Sequence, residues 1–387
     1  MQRRHGIQFL IGLAGAVGAG GLCAAGLSPR RLEFPADFGA HPTQRIEWWY
    51  LTGHLGTVPP RQPQPQPQPQ PQQRQQPPPQ AELARDPRFG FQVTFFRSRT
   101  QVDPAHPSRF AARQLLFAHV ALTDLTQQRM RHDQRIARSG FGLAEFDLTD
   151  TRLTLRDWSL VRSGPAHASR YVAQVRSAAA GFALQLRCDT TQPVLLQGEQ
   201  GWSRKGPRPE QASLYYSQPQ LDTQGTLQID GRELSVQGRA WLDHEWSDAL
   251  LDAQAVGWDW IGMNLHDGSA LTAFALRRAD GSTLYAGGSF RRPGAAPTID
   301  APDAVQFTPL RVWASPRTAA RYPVHWAIET RSGKFEVRAL LDDQELDSRA
   351  STGAIYWEGL SELLDATGHR IGLGYLEMTG YAAALRL

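Results

Sequence analysis

At 387 residues, with 41% hydrophobic and 20% charged side chains, the chain has a globular composition and enough length for two cores. Its formal net charge of +4 is carried almost entirely by arginine, since Lys205 and Lys334 are its only lysines. The arginines are scattered and form no basic stripe or RNA-binding signature, so we expect no nucleic-acid partner.

The first 26 residues have the pattern of an export signal. Arg3 and Arg4 supply a positive start, residues 7–22 are apolar and rich in Gly and Ala, and small residues follow Cys23. The apolar stretch is short for a membrane span. We expect a signal peptide at residues 1–26 and a mature protein in the periplasm or cell envelope. A retained anchor or a lipoprotein on Cys23 is the alternative.

A low-complexity tract of alternating Pro and Gln occupies residues 59–80. Such a composition cannot bury an apolar face, and it favours an extended or disordered segment. Two strand-like runs flank the tract, residues 46–55 and 89–97. We therefore interpret the tract as an enlarged hairpin loop.

Alternating apolar and polar residues dominate the rest of the chain. In FGFQVTF the rings of Phe89, Phe91 and Phe95 share one face, while Gln92 and Thr94 lie on the other. Later segments such as TLQIDGRELSVQG and LTAFALRRADGSTLYAG join two alternating runs through an Asp-Gly turn, which is a hairpin signal. Many short strands with little helical periodicity predict an all-β protein.

The two halves of the chain show a faint internal similarity. EWWYLTGHL is followed by FGFQVTFFRSR, and GWDWIGMNL is followed by ALTAFALRRA. Each half thus opens on a Trp-rich strand, and an apolar strand ending in Arg comes next. We predict two tandem antiparallel β-barrels, one over residues 30–242 and one over residues 243–387.

The segment AWLDHEWSDALLDAQAVGWDWIGMNL, residues 240–265, combines large aromatic rings with ionisable groups. It holds four of the eleven tryptophans and these ionisable residues: Asp243, His244, Glu245, Asp248, Asp252 and Asp259. A carboxyl buried beside aromatic walls has a raised pKa and can donate a proton at neutral pH. We place the candidate chemistry here. The alternative is a purely structural role, in which these rings seal the ends of the barrels.

The order of these motifs resembles the AttH/CrtC family of lipocalin-like proteins, which includes the carotenoid 1,2-hydratases. The matching segments are EWWYLTGHL, FQVTFFRSR, LLFAHVALTD, GWSRKGP with ASLYYS, AWLDHEWSD and the terminal GLGYLEMTGY. The resemblance extends over residues 34–387 except for the Pro/Gln tract. It implies two consecutive lipocalin-like barrels, in agreement with the alternation pattern.

The activity implied by the resemblance is the addition of water to a terminal isoprene double bond. A carboxylic acid would protonate the alkene, aromatic faces would stabilise the cation, and water would add without any cofactor. A lipocalin-type barrel would hold the apolar isoprenoid or lipid. Carried over by motif, Asp259 is the acid, His244 orients the substrate or relays a proton, and Trp246 lines the cation site.

Two features of the sequence bear on that assignment. Gly257 stands where the characterised hydratases have Tyr, so the chain departs from the family pattern there. Strand periodicity puts Asp243 on the face opposite His244, which makes Asp243 a competing acid, and it turns Asp259 away from its two neighbouring tryptophans. We expect ligand contacts from five residues: Trp241, Trp258, Trp260, Tyr215 and Arg204.

Other chemistries have less support in the sequence. HEWSD lacks the HExxH spacing of a zinc site, and there is no Gly-rich phosphate or dinucleotide fingerprint. We therefore expect neither a metal nor a cofactor. The alternative to an enzyme is a periplasmic carrier of a lipid or other hydrophobic ligand that works with an envelope ABC transporter.

Overall fold

A computed structural model describes residues 27–58, 87–103, 105–248 and 251–385. These residues form antiparallel strands and two short 3-10 helices, Ala36–Phe38 and Pro302–Ala304, and there is no α-helix among them. Neither of these helices has the length and apolar character needed to cross a bilayer. The predicted export signal and the Pro/Gln tract lie outside the described residues.

The first sheet has thirteen strands. They are β1 (Ile46–Thr57), β2 (Phe89–Arg99), β3 (Gln114–Asp124), β4 (Arg129–Arg138), β5 (Ala144–Phe146), β6 (Arg152–Leu155), β7 (Trp158–Ser163), β8 (Arg170–Ser177), β9 (Phe182–Asp189), β10 (Leu195–Leu196), β11 (Trp202–Arg204), β12 (Ala212–Ile229) and β13 (Arg232–Ser247). Their order is β4-β3-β2-β1-β13-β12-β9-β8-β7-β6-β5, with β10 and β11 paired to β12. Gly140, just after β4, donates to the Ala144 carbonyl of β5 at 2.8 Å, so the path returns on itself as a nearly closed barrel.

The second sheet has ten strands. They are β14 (Ala255–Leu265), β15 (Ala270–Arg278), β16 (Thr283–Arg291), β17 (Thr298–Asp300), β18 (Gln306–Ala314), β19 (Arg321–Thr330), β20 (Gly333–Ala339), β21 (Glu345–Ser348), β22 (Ala354–Leu364) and β23 (Arg370–Met378). Their order is β17-β16-β15-β14-β23-β22-β20-β19-β18, with β21 paired to β22. The prediction of an all-β fold of two tandem lipocalin-like barrels is confirmed.

The division between the barrels lies later in the chain than the sequence suggested. The predicted boundary between residues 242 and 243 falls inside β13, whose pairing with β1 continues to Ser247 opposite Ile46. The second sheet begins at Ala255. A strand is kept in one sheet by its ladder of hydrogen bonds, so the change of sheet occurs between residues 248 and 254.

Each barrel is filled by its own side chains. The interior of the first is a cluster of fully buried residues that includes Trp49, Phe91 and Leu186. The interior of the second includes Ile261 and Trp357. The sequence-based expectation that a barrel interior would hold the ligand therefore finds no support in these clusters, and the space for a ligand must be sought elsewhere.

The residues that flank the Pro/Gln tract are direct neighbours, because Leu55 of β1 pairs with Phe89 of β2. β1 and β2 thus pair as the two arms of a hairpin, and the interpretation of the tract as the loop between them stays a prediction. We expect that replacing residues 59–86 with a Gly-Asn-Gly turn will shift Tm by less than about 4 °C in a thermal melt. A loss of more than about 10 °C would mean that the replaced residues stabilise the barrel.

Candidate functional site

The outer faces of the two sheets pack against each other through alternate residues of their strands. Tyr50 of β1 meets Trp260 of β14 edge-on, with ring centroids 5.3 Å apart, and Trp241 of β13 meets the same indole at 6.4 Å. Asn264 donates to the Ala240 carbonyl at 3.1 Å. The even-numbered faces of β1 and β14 thus form an aromatic layer between the barrels.

A cavity of about 870 Å³ opens beside this layer, between the two sheets. Trp202, Arg204 and Tyr215 line it from the first sheet, and Phe274 and Tyr285 from the second. Two of the five predicted ligand residues, Arg204 and Tyr215, therefore share one cavity. Trp241 and Trp260 are buried in the layer beside it, whereas Trp258 keeps part of its surface exposed.

Asp243 lies directly beneath the cavity, next to Tyr215. The Tyr215 hydroxyl donates to Asp243 Oδ2 at 2.8 Å, while Ser217 and the Trp241 indole donate to Oδ1 at 2.5 and 2.7 Å. Burial raises the pKa of Asp243 from 3.8 to about 7, although these three hydrogen bonds favour the ionised form. Near neutral pH this carboxyl therefore exists in both protonation states.

A cation and its counterion complete this part of the cavity. The Lys205 ammonium lies 4.6 Å from the Tyr215 ring centroid and 4.4 Å from that of Phe274. Its Nζ is 3.1 Å from Glu245 Oε1, which also accepts a hydrogen bond from Ser213. The GWSRKG segment thus supplies both β11 and the cation beside the cavity.

Two glutamates that the sequence did not single out lie in the same layer. The Trp258 indole donates to Glu377 of β23 at 3.2 Å, and Gln92 donates to Glu358 of β22 at 2.6 Å. Burial raises the pKa of Glu377 to about 8, and the negative charge of Asp243 adds to the shift. Burial likewise raises the pKa of Glu358 well above its ordinary value. A Glu beside large apolar residues, in YWEGL for Glu358 and in GYLEM for Glu377, was the available signal.

His244 and Trp246 point away from the cavity, into one end of the first barrel. His244 Nε2 is 2.9 Å from Glu47 Oε1, and the Tyr216 hydroxyl is 3.0 Å from Nδ1. Burial lowers the pKa of His244 to about 4, so the neutral ring donates to Glu47 and accepts from Tyr216. The His41 ring stacks on Trp246 at 3.7 Å. These contacts seal the barrel end.

His41, Glu47 and His244 offer three possible metal-ligand atoms within 4.8 Å of one another. The Arg97 guanidinium already faces this group, with Nε 2.7 Å from Glu47 Oε2 and no exposed surface on either side chain. A cation in that position repels a second one. The hydrogen bonds of His41 and His244 and the charge of Arg97 hold the pKa of Glu47 well below its usual range, although burial alone would raise it. The arrangement favours a hydrogen-bonded ion network.

Asp259 faces away from Trp258 and Trp260, as the alternation predicted, and lies at the interior end of the second barrel. Its carboxylate pairs with Arg277 at 2.8 Å and accepts from the Tyr381 hydroxyl at 2.9 Å. Burial raises its pKa, and the Arg277 charge opposes that shift. Asp259 does not line the cavity, so it is not placed to protonate a ligand there. The structure does not bring Asp259 to His244 or Trp246, because they lie in different barrels and none of them faces the cavity.

Gly257, the departure from the family pattern, has no room for a side chain. A Cβ atom there would lie 2.2 Å from the Thr379 carbonyl oxygen. A tyrosine at position 257 would therefore displace the backbone of residues 379 and 380. The Tyr381 hydroxyl nonetheless lies beside Asp259, so a phenol reaches this carboxyl from the end of the chain.

Comparison with known proteins places the chain in a family. The sequence profile of the AttH-like family matches residues 80–381. The chain belongs to the AttH-like family. An AttH from Nitrosomonas europaea has a similar crystal structure, with a TM-score of 0.77 and 42% identity over 92% of this chain and 98% of that chain.

A more distant likeness concerns the AttH-like fold alone. Kievitone hydratase from Nectria haematococca matches with a TM-score of 0.63 and 13% identity, over 91% of this chain and 94% of that chain. No curated protein sequence matches the chain.

In this AttH-like protein, Asp243 makes stability fall as pH rises. Its pKa is 3.8 in an exposed chain and about 7 in the folded protein, so the folded state binds this proton more tightly. The stabilisation is fully present below the lower value and is lost as pH rises through the higher one. The loss reaches up to about 1.4 kcal/mol per pH unit.

We therefore expect the free energy of unfolding to depend less on pH in Asp243→Asn than in the wild type between about pH 4 and pH 7. Urea titrations of both proteins across that range measure the difference, and the contributions of groups whose pKa does not depend on Asp243 cancel in it. The same pH dependence in both proteins would contradict the raised pKa.

Proposed function

We propose that this AttH-like protein is a cofactor-free hydratase that adds water to a carbon–carbon double bond of an apolar ligand held between its two barrels. The observation that carries the proposal is the position of Asp243. It is a buried carboxyl with a pKa of about 7, one hydrogen bond from a cavity-lining phenol. A general acid works best when its pKa lies near the working pH.

Tyr215 connects this acid to the ligand space. When Asp243 is ionised, the Tyr215 hydroxyl donates to it. When Asp243 carries a proton on Oδ2, that hydrogen bond reverses and the Tyr215 O–H is free to turn toward the cavity. Burial and the negative charge of Asp243 raise the pKa of Tyr215 well above its ordinary value, so the phenol relays a proton without ionising.

The reaction balances with one carboxyl and one water. Asp243 gives its proton to Tyr215 as the Tyr215 proton forms a C–H bond with the alkene π electrons. The more substituted carbon is left as a cation, and a water lone pair forms the C–O bond. The proton shed by that water returns through Tyr215 to the Asp243 carboxylate, which restores the resting state.

The cavity walls suit such a cation. Trp202, Phe274 and Tyr285 contribute aromatic rings to the cavity wall, and aromatic faces attract positive charge, as those of Phe274 and Tyr285 already do for Lys205 and Arg204. The Lys205 ammonium nearby is balanced by Glu245 at 3.1 Å, so the pair adds no net charge. We propose an isoprenoid or lipid chain as the ligand, with acyclic carotenoids as the first substrates to test.

The experiment is an incubation of the purified protein with lycopene and, separately, with geranylgeraniol in detergent micelles, in deuterated water. We expect a water adduct by mass spectrometry, with deuterium bound to carbon, from at least one of the two. The adduct must disappear in Asp243→Asn. Both ligands recovered unchanged, with binding intact, would overturn the hydratase.

A carrier that works with an envelope ABC transporter is the second proposal, and the same cavity supports it, because a carrier also needs space for its ligand beside aromatic side chains. Tight binding without turnover, unaffected by Asp243→Asn, would favour it.

Export of the mature protein to the periplasm is part of both proposals. Peptide mapping of the protein recovered from the periplasm would test cleavage after residue 26.

A further inference from the structure

Two phenylalanines that do not line the cavity project into solvent on the first barrel. Phe110 is 77% exposed and Phe141 is 56% exposed. Their rings stack with centroids 5.5 Å apart and planes 9° from parallel. Leu143 beside them is also exposed. Paired exposed aromatic rings are unusual on a globular surface and indicate a contact with something apolar.

The backbone holds Phe141 in this position against its own preference. Gly140, Phe141 and Gly142 have φ angles of +91°, +60° and +68°. A non-glycine residue in the left-handed region is strained by about 1 kcal/mol. The ring gains only its contacts with Phe110 and Arg138, and more than half of its surface stays exposed.

Arginines surround the phenyl pair. A groove of about 470 Å³ beside it is lined by Arg109, Arg113, Arg138 and Phe141, and no acidic residue lines it. None of these three arginines forms an ion pair with a carboxylate of the described residues. The Arg138 guanidinium lies 4.4 Å from the Phe141 ring centroid and donates to the Arg109 carbonyl at 2.9 Å. Arg138 therefore joins the two turns that carry the rings.

We propose that this surface, the Phe110/Phe141 patch, docks the protein on a membrane containing anionic phospholipid. The phenyl rings would enter the acyl region, while the groove arginines would bind lipid phosphates. A membrane surface favours aromatic rings next to unpaired cations. The rings bind at the depth of the acyl chains, and the cations bind at the adjacent depth of the lipid phosphates. Charge complementarity thus favours an anionic lipid surface over a neutral one.

The strand register shows at which end of the first barrel the Phe110/Phe141 patch lies. Arg99 of β2 pairs with Gln114 of β3, so the loop carrying Phe110 leaves the end of the first sheet at which Ile46 pairs with Ser247. Arg204, which lines the cavity, pairs with Ala212 at the start of β12, at the same end. Docking by the patch would bring the end of the barrel nearest the cavity to the membrane, where apolar ligands reside.

The test is co-sedimentation of the full chain with phosphatidylcholine vesicles, with and without phosphatidylglycerol. We expect Phe110→Ser/Phe141→Ser to lower partitioning onto anionic vesicles at least about tenfold. Arg109→Gln/Arg113→Gln should reduce the preference for anionic over neutral vesicles by about fivefold or more. The control is Leu310→Ser/Val312→Ser, which removes two side chains exposed at 49% and 42% whose neighbour Arg311 is paired with Asp342.

The matched control separates this patch from general stickiness and from any membrane affinity of the N-terminus, which all variants share. Equal partitioning of the phenylalanine variant and the control would overturn the proposal. Partitioning that is the same with and without phosphatidylglycerol would also overturn it. A third contradicting outcome is self-association, seen by sedimentation velocity, that depends on the two phenylalanines while the protein binds no vesicles. Thermal melts check that each variant is folded. We expect folding to persist because the substituted side chains are exposed.

Discussion

Replacing Asp243 with Asn is expected to lower kcat for hydration at least about 100-fold, because a positioned general acid contributes about two to four powers of ten to rate. Asn keeps the size of the side chain and can still accept from Ser217 and Trp241, so the fold and ligand binding should persist. Tyr215→Phe should also lower kcat, since it removes the hydroxyl through which Asp243 contacts a cavity-lining side chain directly. Steady-state kinetics with the substrate found in the deuterium experiment measures both.

Asp259→Asn is the matched control for this prediction, because it changes another buried Asp that shares no face with the cavity. At a temperature where the variant is folded, we expect kcat within about threefold of the wild type. The opposite pattern, with loss of activity in Asp259→Asn and none in Asp243→Asn, would return the acid to the position that the family motif implied. Circular dichroism and a binding assay accompany both variants.

Arg97→Met should lower the free energy of unfolding by about 3–5 kcal/mol, the usual cost of removing one partner of a buried ion pair. Arg97 has no exposed side-chain surface and donates to Glu47 at 2.7 Å and to the His41 carbonyl at 2.9 Å. Its loss leaves the buried Glu47 carboxylate with the neutral His244 ring and with His41, whose pKa is raised by its hydrogen bonds to Asp37 and Glu47. Urea titration at pH 7 measures the change.

The double variant Arg97→Met/Glu47→Gln should recover part of that loss, because it removes the uncompensated charge. Arg99→Met is the control. Its side chain is 45% exposed, and its Nη2 atom is 4.0 Å from Asp248 Oδ1. We therefore expect the free energy of unfolding to change by no more than about 0.5 kcal/mol. A loss below about 1 kcal/mol in Arg97→Met would mean that the network at the barrel end contributes little to stability.

The fold followed from the sequence because strand alternation and Asp-Gly turns are local signals. Both the FGFQVTF strand and the hairpin around the Pro/Gln tract could be predicted from a few residues each. The end of β13 could not be predicted in this way. A strand changes partner where its hydrogen-bonded neighbours end, and the register of β1 with Ser247 depends on residues nearly 200 positions away.

The sequence predicted which residue types the site contains, but it did not predict how those residues are arranged in space. Periodicity correctly separated Asp243 from His244, and Trp260 from Asp259, onto opposite faces. It could not say which face would meet the other barrel, because that depends on how two finished sheets pack. Glu358 and Glu377 come from the last two strands of the chain, and only tertiary packing brings them to Tyr50 and Trp258.

The titration of the Asp243 carboxyl tests the central claim most directly. Infrared difference spectra of wild type against Asp243→Asn, recorded across pH, follow the C=O stretch of the protonated acid. Our account predicts a midpoint near 7, with the protonated form still present at neutral pH. A midpoint below about 5 would show an ordinary ionised carboxylate beneath the cavity, and Asp243 could then not act as the acid of a hydratase.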